Sequence, residues 1–202
     1  MQSILCNNRS ICPSKIVCIG RNYVEHIEEL GNSIPDEMVV FLKPNSAIRQ
    51  QLRAVHQEPL HFEAELAFVY QQGRFSAVAA GLDLTKRGLQ SKLKEKGLPW
   101  ERAKAFDGSA LFSEFVEIDS VDDLSIELDI DGQRRQQGSV AMMMYSPAFI
   151  LEQLREFITL EDGDIVMTGT PKGVGEVVAG SVFEARVKQD GKLLTSQKWQ
   201  AQ

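Results

Sequence analysis

Twice in its C-terminal half this chain sets an Asp-Gly pair at the end of a run in which apolar and polar residues alternate. In "SIELDIDGQRRQQG" the apolar members are Ile126, Leu128 and Ile130, and the pair is Asp131-Gly132. In "VFEARVKQDGKLLTSQKW" they are Phe183, Ala185 and Val187, and the pair is Asp190-Gly191. A period of two sends successive side chains to opposite faces of a strand, and Asp-Gly suits the left-handed conformations of a two-residue hairpin turn. Two antiparallel hairpins are predicted. One clear helix lies between them: Ser146 can cap it, Pro147 fits its first position, and Ile150, Leu151, Leu154 and Phe157 form an apolar stripe.

Upstream, "KIVCIG" (15–20), "EMVVFLKP", "HFEAELAFV" (61–69) and "AVAAGLDLT" read as strands. A helix is expected through "NYVEHIEEL", ended by Gly31, with Tyr23, Ile27 and Leu30 as its buried stripe. Another is expected over roughly 85–96, ended by Gly97 and Pro99. Many short strands with two or three helices make a β-rich α+β domain, not a doubly wound sheet. With no repeat, low-complexity tract or linker, residues 1–202 are expected to form a single domain.

Several function classes drop out. Net charge is −6 with a pI near 5.2, whereas nucleic-acid binding needs a concentrated positive surface. The lysines of "TKRGLQSKLKEKG" read as a solvated helix face. Three cysteines without a C-x-x-C, and no His/Cys pair at zinc spacing, support neither a disulfide framework nor a structural zinc site. No G-x-G-x-x-G or phosphate-loop motif is present. The N-terminus lacks a signal-peptide pattern, and no apolar run reaches the ~18 residues of a membrane span. A cytoplasmic protein without a membrane partner is expected.

In "HFEAELAFV", Phe62, Ala64, Leu66 and Phe68 form one wall of the strand, while His61, Glu63 and Glu65 share the other. Two carboxylates so close repel unless water, a proton or a cation separates them. A solvent-facing strand is one explanation, a functional pair the other. Asp83 interrupts the apolar run of "AVAAGLDL". It could cap the following helix, as could Thr85, or it could join Glu63 and Glu65 in an all-oxygen triad suited to Mg²⁺ above all, with Mn²⁺ and Ca²⁺ as rivals. His26 and Glu29 are neighbours on one helix face, an arrangement that serves either a general base or a solvated helix with three glutamates. Arg102 and Lys104 follow a Gly-Pro loop, where a lysine could stabilise negative charge or simply face solvent. The small-residue loop of "IVMTGTPKGVG", with Thr168 and Thr170, could hold a carboxylate or be only a tight turn.

Taken in order, "CIGRNYVEHIEEL", "FLKP", "HFEAEL", "GLDLTKRGLQ", "KGLPWERAKAFDG" and "GDIVMTGTPKGVG" resemble the fumarylacetoacetate hydrolase family, over about residues 15–188. The short members of that family are the most similar, acylpyruvate hydrolases and oxaloacetate decarboxylases among them. The resemblance implies a mixed β-sandwich roll, a homodimer, and a small 2-oxo acid as substrate. It implies Mg²⁺ or Mn²⁺ on Glu63, Glu65 and Asp83, and a water-activating dyad of His26 and Glu29. Lys104 would face the substrate, with Arg21, Arg87, Gln90 and Thr170 binding it. The expected chemistry is metal-dependent C–C hydrolysis of acylpyruvates, with oxaloacetate decarboxylation at the same site. Keto–enol tautomerisation of oxaloacetate, or isomerase or hydratase action on 2-oxo acids, is the alternative; a non-catalytic metal-binding domain is the second. Two departures stand out: Gly88 follows Arg87 where the family often has Asp, and the stretch from Glu65 to Asp83 looks about ten residues short.

Overall fold

The computed structural model describes residues 1–29, 31 and 36–202. Its strands are β1 (Ile4–Cys6), β2 (Arg9–Ile11), β3 (Lys15–Gly20), β4 (Val39–Pro44), β5 (Leu60–Phe62), β6 (Ala64–Gln71), β7 (Arg74–Asp83) and β8 (Thr85–Lys86). They continue with β9 (Ala110–Phe112), β10 (Val116–Glu117), β11 (Leu124–Ile130), β12 (Gln133–Ser139), β13 (Ile165–Met167), β14 (Gly175–Glu176), β15 (Val182–Gln189) and β16 (Lys192–Gln200). The α-helices are α1 (Val24–Glu29), α2 (Arg87–Glu95), α3 (Glu101–Lys104) and α4 (Pro147–Arg155). No helix among the described residues is long and apolar enough to cross a membrane.

Both Asp-Gly hairpins form. Asp131 and Gly132 (φ 51° and 78°) join β11 to β12, and Asp190 and Gly191 (φ 49° and 75°) join β15 to β16. The four strands make one antiparallel sheet in the order β12-β11-β15-β16. A mixed seven-stranded sheet runs β10-β7-β6-β13-β3-β4, with β9 also on β7, and a small sheet β14-β5-β8 stands beside it. Within the seven-stranded sheet β13 lies parallel to β3 and antiparallel to β6. The β-rich α+β expectation is met. The short stretch between Glu65 and Asp83 is one hairpin, β6–β7, turned tightly by Gln72 and Gly73 (φ 50° and 82°).

The main core fills the space between the two large sheets. Val17, Ile19, Leu66, Phe68 and Val78 come from one side; Ile126, Leu128, Phe183 and Val187 come from the other. Ile150 and Leu154 of α4 are fully buried there, each worth roughly 1.5–3 kcal/mol of apolar transfer. Ser146 caps α4 by accepting the Phe149 N–H at 3.3 Å. Phe157 does not extend the stripe: it lies past the end of α4 and is 63% exposed. The opposite face of the seven-stranded sheet is also buried, by Ile16, Cys18, Ala67, Val69, Ala79 and Met167. That second core removes the solvent-facing explanation of β6 and accounts for the near-continuous apolar reading of β3 and β7. Tyr23, just before α1, and Ile27 within it are buried, and Gly31 (φ 62°), after it, donates to the Glu28 carbonyl, while Leu30 lies outside the described residues.

Candidate active site

Strand pairing brings three carboxylates together. The strand expected over 61–69 is interrupted at Glu63, which separates β5 from β6. On the partner strand Asp83 is the last residue of β7, and its N–H donates to the Glu63 carbonyl at 2.8 Å. Glu65 follows one residue into β6, opposite Gly81. Glu63, Glu65 and Asp83 are all buried, with carboxylate oxygens within 4.8 Å of one another. His61 departs from this face: it approaches Glu176 at 3.7 Å and does not line the cavity. Asp83 is no helix cap. Helix α2 begins after Lys86 without a side-chain cap bond, and Thr85 accepts a bond from Lys104 instead.

Buried cations stand against two of the carboxylates. The Lys104 ammonium donates to Glu63 Oε2 at 2.7 Å, Asp83 Oδ2 at 2.8 Å and Thr85 Oγ1 at 2.7 Å. Those acceptors use all three of its protons. Burial alone would lower its pKa, but Asp83 and Glu63 outweigh burial and raise it. Lys43, fully buried, lies 2.9 Å from Asp83 Oδ1 and also reaches the Lys104 carbonyl. Arg87 pairs with Glu63 and donates to Gln90 Oε1 at 2.9 Å. Burial would raise the Glu63 pKa, yet Lys104 and Arg87 hold it well below the usual range. Glu65 differs. It accepts the Gly169 N–H at 2.8 Å and, among the described residues, has no cation at ion-pair distance. Burial, then Asp83 and Glu63, push its pKa well up. An all-oxygen set with one uncompensated member fits a hard divalent cation.

His26 and Glu29 do meet. His26 is buried, lines the cavity, and its Nδ1 lies 3.2 Å from Glu29 Oε2. Glu29 is anchored by the Gly173 N–H, at 3.0 and 3.1 Å from its two oxygens. Only glycine serves at 173: φ is 101°, and a Cβ would stand 2.0 Å from the Arg135 carbonyl oxygen. The loop after β13 therefore holds carboxylates of the chain itself, Glu65 and Glu29. The Thr168 hydroxyl donates to the Leu66 carbonyl at 2.9 Å. Thr170 lines the cavity, but its hydroxyl donates to the Ala64 carbonyl at 2.8 Å.

Arg21, Arg87, Gln90 and Lys104 line the same cavity. Arg21 is held in the left-handed region at φ 58°. Arg102 points to solvent, two residues and about 200° of helix away from Lys104. The lysine-rich face of α2 is not wholly solvated: Lys94 turns into the cavity, with Nζ 5.0 Å from the Trp100 ring centre. Burial, then Arg21 and Arg87, bring its pKa down to about 8. A carboxylate does stand beside Gly88. It is Glu58, whose Oε1 accepts the Leu89 N–H at 3.2 Å and would lie 3.3 Å from a Cβ at 88.

Lys43, Gln136 and Asn22 are not among the residues that the sequence points to, and Lys94 is there only as one of a solvated set. A lysine inside the apolar run of "FLKP" is a signal for the first. Asn22 carries no such mark, yet it is fully buried, donates to the Thr168 and Tyr145 carbonyls at 2.9 and 3.0 Å, and accepts the Tyr145 N–H at 2.7 Å.

A family model described as fumarylacetoacetate (FAA) hydrolase C-terminal matches residues 15–196. The oxaloacetate tautomerase YcgM of Escherichia coli is 37% identical over 203 residues, covering 91% of this chain and 91% of that protein. The mitochondrial oxaloacetate decarboxylase of Dictyostelium discoideum is 38% identical over 192 residues, covering 86% of this chain and 88% of that one. The crystal structure of fumarylpyruvate hydrolase from Pseudomonas aeruginosa, in complex with Mn²⁺ and pyruvate, superposes with a TM-score of 0.87 at 29% identity, covering 100% of this chain and 96% of the other.

Proposed function

Because this chain belongs to the fumarylacetoacetate hydrolase family, we propose that it is a Mg²⁺- or Mn²⁺-dependent enzyme interconverting the keto and enol forms of oxaloacetate. The charge inventory of the cavity supports oxaloacetate as the substrate, and the likeness to oxaloacetate tautomerases supports the reaction. Lys43, Lys104 and Arg87 match the three carboxylates in number, although none of them pairs with Glu65, while Arg21 and Lys94 add positive charge at the rim. A divalent cation held by Glu63, Glu65 and Asp83 leaves the cavity in excess positive charge. A dianionic 2-oxo dicarboxylate balances that excess better than an acylpyruvate with a neutral tail.

When bound, the cation acts as a Lewis acid toward the substrate carbonyl and makes the neighbouring carbon more acidic. The rest falls to the chain. Glu29, as acceptor, favours the tautomer of His26 with the proton on Nδ1, leaving Nε2 as the basic nitrogen. His26 takes a proton from the carbon between the carbonyl and the distal carboxylate, and a proton returns to the carbonyl oxygen. One C–H bond is exchanged for one O–H bond and no atom is lost. Lys104, its protons already engaged, contributes its charge to stabilising the enolate rather than a hydrogen bond.

The test follows enol absorbance, pyruvate and CO₂ separately with oxaloacetate and an acylpyruvate, with Mg²⁺ or Mn²⁺ and after chelation. Tautomerisation that is fast, metal-dependent and free of pyruvate release is expected. Acylpyruvate cleavage exceeding it would make the same dyad a water-activating base and the protein a hydrolase; pyruvate and CO₂ released in step would make it a decarboxylase.

A further inference from the structure

The two glutamates are joined through Ala64, and Ala64 lies where one neighbour of β6 runs out. The ladder between β6 and β13 ends at Ala67 opposite Met167, and the Thr168 N–H extends it by one bond to the Leu66 carbonyl at 3.2 Å. At Ala64 two side chains take the place of a strand. Gln136 Oε1 accepts the Ala64 N–H at 2.9 Å, and Gln136 Nε2 donates to Thr170 Oγ1 at 2.8 Å. Thr170 Oγ1 in turn donates to the Ala64 carbonyl at 2.8 Å, which closes a ring. The second proton on Nε2 goes to the Pro171 carbonyl at 2.7 Å. A side-chain amide suits this place because it combines an acceptor with two donors. Gln136 belongs to β12 and is 1% exposed, so the ring also ties β6 and the Thr170 loop to the four-stranded sheet.

We propose that Gln136 is a positioning residue for the metal-binding carboxylates, acting through Ala64 and Thr170. This rests on the reading of Glu63, Glu65 and Asp83 as ligands of a divalent cation. With its N–H and C=O unbound, the Ala64 backbone is held only from the β7 side, and any turn there swings the carboxylates on either side of it. Groups that orient metal ligands typically account for ~10–100-fold in metal affinity.

The test is calorimetric titration with Mn²⁺ of the wild type and of Gln136→Met, Thr170→Val, Thr170→Ser and Leu154→Ala, with thermal unfolding of each metal-free protein. The Kd for Mn²⁺ should rise at least ~10-fold in Gln136→Met and Thr170→Val, both of which break the ring. It should rise less than that in Thr170→Ser, which keeps the hydroxyl, and in Leu154→Ala, which destabilises the fold away from the site. A folded Gln136→Met with a smaller rise overturns the proposal, as does a loss in Thr170→Ser or Leu154→Ala equal to that in Thr170→Val. Should Gln136→Met not fold, the two Thr170 variants decide by the same threshold. A wild type that fails to bind Mn²⁺ overturns the metal reading itself and this inference with it, a result distinct from variants that bind as tightly as the wild type.

Discussion

Replacing Lys104 with methionine keeps much of the buried stem and deletes one charge from the carboxylate cluster. The lost ammonium donates to Glu63 and Asp83 at 2.7 and 2.8 Å. Breaking a buried ion pair by removing one partner costs roughly 3–5 kcal/mol, because the other charge stays buried and uncompensated. Here Arg87 remains on Glu63 and Lys43 on Asp83, so the lower end, ~3 kcal/mol, is expected. At ~2–4 °C per kcal/mol for a chain of this size, metal-free Lys104→Met should melt roughly 6–12 °C below the wild type. A divalent cation at the triad feels the opposite effect. A dication held by the same carboxylates would be repelled by the ammonium, so deleting the lysine should strengthen metal binding. A Kd ten times tighter adds about 1.4 kcal/mol of ligand-linked stability under excess metal, or ~3–6 °C. The assay is thermal unfolding of both proteins, after chelation and with the same excess of Mn²⁺. The variant should lose stability without metal and gain more than the wild type when metal is added. A variant as stable as the wild type after chelation, or one that gains no more from Mn²⁺, refutes the assignment of Lys104 as a compensating charge of the cluster.

His26→Ala should slow oxaloacetate tautomerisation by about 10²–10⁴-fold while the Kd for Mn²⁺ stays within about threefold; stopped-flow enol absorbance and calorimetry read the two separately. Glu65→Gln removes the carboxylate that burial, Asp83 and Glu63 disfavour, so the metal-free protein should be at least as stable as the wild type while Mn²⁺ binding is lost; a lower melting point after chelation would contradict that. Asp164 accepts from the Ser14 N–H at 3.0 Å, the Ser14 hydroxyl at 2.7 Å and the Glu161 N–H at 2.9 Å, and also holds the Lys15 ammonium. Burial would raise its pKa, but Lys15 and Ser14 lower it below the usual 3.8, so its stabilisation is fully present above the unfolded carboxylate range and is lost as pH falls through the lower folded value. Asp164→Ala should therefore cost roughly 3 kcal/mol at neutral pH, with the gap to the wild type closing below about pH 4, as denaturant unfolding across that range would show.

What spacing and periodicity alone could read along the chain was whatever depends on neighbours in sequence; the wider set from Arg21 to Thr170 came from the family resemblance. The Asp131-Gly132 and Asp190-Gly191 hairpins, the Ser146 cap and the Glu63/Glu65 spacing are set by residues within a turn or two of one another, and all appear as expected. The partners of those glutamates depend on distant residues. Lys104 is 41 residues from Glu63, Gln136 is 72 from Ala64, and Gly169 is 104 from Glu65; no period or motif announces such pairs. The same limit explains the readings that changed. Phe157 continues a helical stripe in sequence, yet α4 ends before it, and Lys94 looks like one more solvated lysine until Trp100 and Arg21 are folded against it. It also shows why the carboxylates alone say little about chemistry. Three acids at strand ends could bind almost any hard cation; the positive charge on which the proposed choice of a dianion rests comes from Lys43, Lys104, Arg87, Arg21 and Lys94, brought in from β4, α3, α2 and the loop after β3. Selectivity in this site thus belongs to the tertiary fold, so a variant that alters rim charge at Lys94 while leaving Glu63, Glu65 and Asp83 intact should change which 2-oxo acid binds without changing which metal does.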